Sequence, residues 1–332
     1  VQTCALPVSG DAVDISRIDM DFSGENIKDS HLRMLFAVSS PVIASEAQIA
    51  LALRVLAGFG IEEIAEAFLS TRETINKRLY RAREKLRAAK ISLEMPPAAE
   101  IKERLATVLR ILYLMFNEGY YSVTHNLTLR KEFCLEAMRL TTLLTAYEPT
   151  DLPETNALLA LMCFHASRFD ARRSETGENI LYEDQDTSLW DTGLIRQGRV
   201  LLDRSADGGE LTSYHLEAGI AYWHTVREDT PRKWECILGY YDLLREMNPS
   251  PAVTLNRLYA LHRARGRDRA LAEASALPYQ GNPFYHLIMG ELLGEGDAAA
   301  AMEHFTRALA LVKTDQDKAA IRKKLQALQR GG

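Results

Sequence analysis

Residues 45–90 read SEAQIALALRVLAGFGIEEIAEAFLSTRETINKRLYRAREKLRAAK, and this stretch decides the fold. Its pattern predicts three consecutive helices. The first, Glu46 to Ala57, carries Ala50, Leu53 and Leu56 at helical spacing and stops at Gly58-Phe59-Gly60. The second, Ile61 to Phe68, sets Ile61, Ile64, Ala65 and Phe68 on one stripe and turns Glu62, Glu63 and Glu66 outward. The third is predicted to begin at Ser70, because Ser70-Thr71-Arg72-Glu73 has the S-x-x-E form of a capping box. The turn before it is short enough for two helices to cross as a helix-turn-helix.

On the third helix Ile75, Leu79, Ala82 and Leu86 fall within one narrow arc at roughly 100° per residue. The opposite side shows Glu73, Lys77, Tyr80 and Arg81, flanked by Thr74 and Asn76. Residues 72–90 hold eight Lys or Arg against two Glu, a local charge of +6 on a chain whose formal charge is −5. A positive helix on an otherwise acidic protein marks one local surface for phosphate. A basic amphipathic helix alone usually means only a solvated face. The cap, the tight turn and the preceding short helix together favour DNA binding.

These residues resemble a known family. The run GFGIEEIAEAFLSTRETINKRLYRAREKLR is similar to the fourth conserved region of the extracytoplasmic-function sigma factors. Three further stretches, DSHLRMLF from Asp29, LYLMFNEGYY (112–121) and LYEDQDTSLWD (181–191), resemble the subgroup with a long helical, tetratricopeptide-like extension. The resemblance covers the chain from about residue 28 onward. It implies an all-α protein: a winged-helix-like or helix-turn-helix region 4 domain, then a helical extension.

Four segments are expected on that basis. Residues 1–27 are a linker remnant, 28–92 the DNA-binding domain, 96–205 a helical domain, and 206–332 tetratricopeptide-like repeats. A sigma factor of this kind carries another helical domain before the linker, which binds core polymerase and melts the promoter. The sequence opens on Val1 without it, so an N-terminally truncated chain is expected. Ile27 to Ser39 reads as a helix ended by Ser40-Pro41, with Ile27, His31, Met34, Leu35 and Val38 on its apolar stripe. Related proteins often carry cysteines and a histidine at Ser39-Ser40-Pro41. Their absence leaves a metal role there without support, and His31 reads as a packing or surface residue.

Beyond the linker ISLEMPPAAE (91–100), Leu105, Val108, Leu109, Leu112, Tyr113 and Phe116 form a helical stripe. Gly119 is the expected left-handed stop for that helix. Residues 129–149 and 154–172 read as two more helices packed against it. In 182–191 the acids Glu183, Asp184, Asp186 and Asp191 lack the spacing of a calcium loop. That segment is expected to be a capped loop, with Asp186 or Thr187 starting the next helix. Farther on, Ala301, Phe305 and Ala308 have small–large–small spacing, with Tyr285 as the aromatic of the partner helix. Ile237, Tyr241 and Leu244 fit the same pattern less strictly. The last helix, Asp315 to Gln329, is expected to be a cap with Lys318, Arg322, Lys323 and Lys324 in solvent.

Composition supports a globular reading: 47% hydrophobic, 26% charged, 19 glycines in 332 residues. Cysteines 4, 134, 163 and 236 are far apart, which argues against zinc and a disulfide framework and fits a cytoplasmic protein. No apolar run reaches a membrane span. No GxSxG, Walker loop or HExxH is present, so neither an enzyme nor a bound cofactor or metal is expected.

The resemblance implies that the third helix reads the minus-thirty-five promoter box and that the chain recruits core RNA polymerase in a bacterial cytoplasm. Base-edge contacts would fall to Asn76, Lys77, Tyr80 and Arg81 beside Glu73, and phosphate contacts to Arg72, Arg78 and Arg83. The extension would regulate this by intramolecular docking or by receiving a regulatory protein. Two other classes fit the residues: a stand-alone helix-turn-helix regulator with a tetratricopeptide sensor, and a tetratricopeptide scaffold.

Overall fold

The computed structural model describes residues 25–68, 70–91, 94–121, 127–172, 180, 182–294, 296–312 and 315–331. The expected linker at the N-terminus lies almost wholly outside them. The described residues form α-helices joined by turns and short 3₁₀ segments, with no strand among them. Among the described residues the helix-turn-helix therefore has no strand-built wing. The chain divides into two compact units. One holds described residues 25–172 and 186–218; the other holds 180, 182–185 and 219–331.

The first unit opens with α1 (Glu25–Val38), α2 (Ser45–Val55), α3 (Ile61–Ala67) and α4 (Arg72–Ala88). Leu32, Leu35, Phe36 and Val38 are buried on α1, while His31 is half-buried. The amide of Gln48 on α2 donates to the carbonyls of Ser39 (3.2 Å) and Ser40 (2.8 Å). This gives partners to carbonyls where α1 ends, and it ties α2 to α1. Gly58 stops α2 with φ +73°, and the Phe59 amide turns back to the Leu53 carbonyl at 3.0 Å.

Then come α5 (Ala98–Tyr121), α6 (Leu127–Thr145), α7 (Pro153–Ala166), α8 (Thr192–Ser205) and α9 (Ser213–Trp223), whose residues from Gly219 on belong to the second unit. Helix α5 runs through Gly119 to Tyr121, so that glycine does not end it. Both α6 and α7 end several residues before the sequence reading placed their ends. Helix α7 is buried from Thr155 to Phe164, and a helix apolar all round belongs in a core. Phe59 meets Phe133 of α6 edge-on at 4.4 Å, which locks the turn after α2 onto the bundle. The acidic stretch is a pair of 3₁₀ turns, at Tyr182–Asp184 and Thr187–Leu189. Asp186 caps the second of these, but the following helix is capped by Asp191, which accepts from the Leu194 amide at 2.9 Å.

The second unit contains α10 (Pro231–Met247), α11 (Pro251–Arg265), α12 (Arg267–Ser275), α13 (Pro283–Gly294), α14 (Ala298–Leu311) and α15 (Asp315–Gly331). Ser250 and Pro251 start α11 with a hydroxyl cap and a proline in the first turn. Helices α13 and α14 form a hairpin in which Tyr285, Ala301, Phe305 and Ala308 are buried. Ile321 of α15 closes that core, with Leu325 and Leu328 packed against it. On α10 the Tyr240 ring lies against Gly219 of α9. Lys324 is not free in solvent as expected, because it ion-pairs with Glu291. Cys134 and Cys163 are free and buried. No helix among the described residues is long and apolar enough to cross a membrane.

Candidate nucleic-acid interface

The basic surface is made by α4, and its orientation follows from three buried residues. Ile75, Leu79 and Ala82 are 0%, 3% and 2% exposed and pack toward α2 and α3. Each costs solvent contact if turned outward, so the polar side of the helix is forced to face water. The helix begins one residue later than the capping-box reading requires. Thr71, not Ser70, is the cap: its hydroxyl accepts from the Thr74 amide at 3.2 Å, with Thr71 in extended backbone. The Ser70 amide is used elsewhere, closing α3 on the Ala65 carbonyl at 2.8 Å.

The residues expected to meet DNA divide into three groups. Glu73, Lys77 and Arg81 are exposed on α4. Asn76, Tyr80 and Arg83 line one side of a recess of about 360 Å³, which Leu79, Ile61 and Arg54 complete. Tyr80 is 67% exposed, far above the burial of a packing tyrosine. At roughly 100° per residue, Tyr80 and Arg83 lie within about 40° of Asn76, while Lys77 and Arg81 lie about 100–140° around the helix. The expected readers thus form two flanks rather than one row.

Two residues behave differently from the expectation. Arg78 is half-buried, with its guanidinium 5.5 Å from the centre of the Phe68 ring. It supports the turn more than it faces solvent. Arg72 is exposed but paired with Glu62 of α3 at 2.8 Å. A phosphate would have to displace that carboxylate, which is an exposed pair of small worth.

Arg54 was not among the sequence candidates. It sits at the end of α2, half-buried, and donates to the Phe59 carbonyl at 2.8 Å. The only sequence signal for it is a basic residue just ahead of the Gly58 stop. No group of three or more His, Cys, Asp or Glu among the described residues is placed to hold a metal ion.

Residues 44–86 match the model of sigma-70, region 4, and residues 104–206 match a family of unknown function (DUF6596). An uncharacterized protein of Rhizobium meliloti (strain 1021) is 37% identical over 310 residues, spanning 92% of this chain and 73% of the relative. No solved structure matches. The chain belongs to the family of that rhizobial protein, and it carries a sigma-70 region 4 domain on α2 to α4.

Proposed function

We propose that this protein is a sigma factor of the extracytoplasmic-function type. Helix α4 lies in the major groove of the minus-thirty-five promoter element, and the region 4 domain tethers core RNA polymerase to the promoter. The observation that carries this reading is the outward face of α4. Lys77, Tyr80 and Arg81 stand exposed on a helix fixed by Ile75, Leu79 and Ala82 beneath them. Such a face offers side chains to base edges while flanking arginines hold phosphates. Residues 28–92 are the DNA-binding domain in this reading, and 96–205 with 206–332 form a regulatory extension.

The tetratricopeptide-like assignment of 206–332 is supported by the α13–α14 hairpin, where small residues and Phe305 interlock. A stack of such hairpins presents a surface for a peptide or a domain. The extension then regulates promoter recruitment by taking a regulatory protein or by docking on the DNA-binding domain.

The test uses the full chain. Core RNA polymerase is passed over the immobilised protein, and promoter-duplex binding is measured with and without polymerase. A sigma factor captures core polymerase, and the Lys77→Ala, Arg81→Ala double variant loses duplex affinity while keeping that capture. DNA binding with no polymerase capture would favour a stand-alone regulator. Neither activity would leave a scaffold.

A further inference from the structure

The geometry points to a phosphate seat built from two helices, in which Arg54 of α2 and Arg83 of α4 grip one DNA backbone phosphate beside Asn76 and Tyr80. This rests on the DNA-binding reading above and adds to it a contact from outside the recognition helix. The recess that these side chains share is lined by Arg54, Ile61, Asn76, Leu79, Tyr80 and Arg83, with no carboxylate among them. It therefore carries two guanidinium charges over an apolar floor of Ile61 and Leu79.

Three of the acids close by in sequence are engaged elsewhere. Glu62 is paired with Arg72, Glu84 with Arg87, and Glu63 accepts from the Gly60 amide. Arg83 itself forms no ion pair among the described residues. Arg54 makes one bond, from Nη1 to the Phe59 carbonyl at 2.8 Å. That bond holds the guanidinium in place without cancelling its charge, since a carbonyl is only a dipole. A guanidinium has five donors in a fixed fork, so an anchored one keeps donors for a phosphate oxygen. Anchoring also lowers the ordering cost of binding.

The seat fixes register. With one phosphate held between α2 and α4, Asn76 and Tyr80 address the bases next to that phosphate. Lys77 and Arg81, on the far flank, address the opposite side of the groove. Arg54 is thus a positioning residue: it contributes affinity without sequence preference.

The test needs no knowledge of the natural promoter, because a phosphate contact acts on any duplex. Binding of the full chain to two unrelated mixed-sequence duplexes of about 30 base pairs is followed by anisotropy, between about 50 and 200 mM salt. Losing one phosphate contact makes the slope of log K against log salt shallower by about 0.9. Arg54→Gln should do this equally on both duplexes, and Arg54→Lys should keep the wild-type slope. Ile61→Glu places a carboxylate in the recess while Arg54 itself is kept, and should act like Arg54→Gln. Val55→Glu, one position from Arg54 but outside the recess, should not.

Circular dichroism checks that each variant is folded. If Arg54→Gln is not, Ile61→Glu set against Val55→Glu decides the matter. A wild-type slope in folded Arg54→Gln or Ile61→Glu overturns the seat. Absence of salt-dependent duplex binding by the wild-type chain would instead overturn the DNA-binding reading itself.

Discussion

A Cβ placed on Gly290 of α13 would stand 2.7 Å from Cε1 of Phe305 on α14. The ring lies where a side chain would otherwise be, so the two helices approach closely at this point. Gly290→Ala must push the ring aside in a closed core that also holds Ala301, Ala308 and Ile321. The expected cost is about 1–3 kcal/mol, an overpacking penalty that exceeds the usual helical gain of alanine over glycine. Urea unfolding measures it, and a stabilised variant would contradict it.

Arg257 of α11 joins three helices. Its guanidinium meets Asp242 of α10 and Glu273 of α12, each at 2.5 Å, and its side chain is 9% exposed. Both carboxylates are more than a third exposed, so the ion pairs themselves are screened. Arg257→Ala still removes a buried stem and two charge-assisted bonds, for an expected loss of about 2 kcal/mol. A double-mutant cycle with Asp242→Ala separates the packing from the pairing.

Glu217 on α9 is half-buried, with the Tyr113 hydroxyl donating to it at 2.9 Å. Burial pushes its pKa from 4.5 up to about 7, against the opposing effect of that hydrogen bond. The folded state therefore holds a proton that the unfolded state has lost, across the window between those values. Stability should fall as pH rises through that window and level off above it, by about 3 kcal/mol in total. Glu217→Gln should flatten this part of the profile, as read by unfolding at pH 5, 6, 7 and 8. An unchanged profile would assign the dependence to another group.

Thr71 caps α4 and Ser70 does not. Thr71→Ala should cost about 1 kcal/mol, and Ser70→Ala should stay within about 0.5 kcal/mol. The reverse order would restore the capping box at Ser70.

On α4 the exposed Lys77 and Arg81 are expected to weaken duplex binding by about 1–3 kcal/mol each when truncated to alanine. Arg78→Ala should act through folding stability instead, because its guanidinium packs on Phe68. Comparing anisotropy with thermal unfolding for the three variants distinguishes these effects.

Much of the architecture was legible because helical periodicity reports burial directly. Ile75, Leu79 and Ala82 are buried, as their spacing requires, and so are Tyr285, Ala301, Phe305 and Ala308. The glycine stop at Gly58 was readable because no other residue takes its left-handed backbone cheaply. Gly119 misled for the opposite reason: a glycine permits a stop but does not force one, and the packed flanks of α5 carry the helix past it.

The sequence by itself determined that the chain is helical, that a short turn joins α3 to a basic α4, and which side of α4 is apolar. These follow from local propensity and period, which act within a few residues. Only the tertiary structure decided that Thr71 holds the cap, that Arg78 turns inward, and that Arg54 stands with Asn76, Tyr80 and Arg83 around one recess. Those outcomes depend on where separate helices come to rest against each other. Position in space, unlike periodicity, is settled by the packing of the whole unit at once.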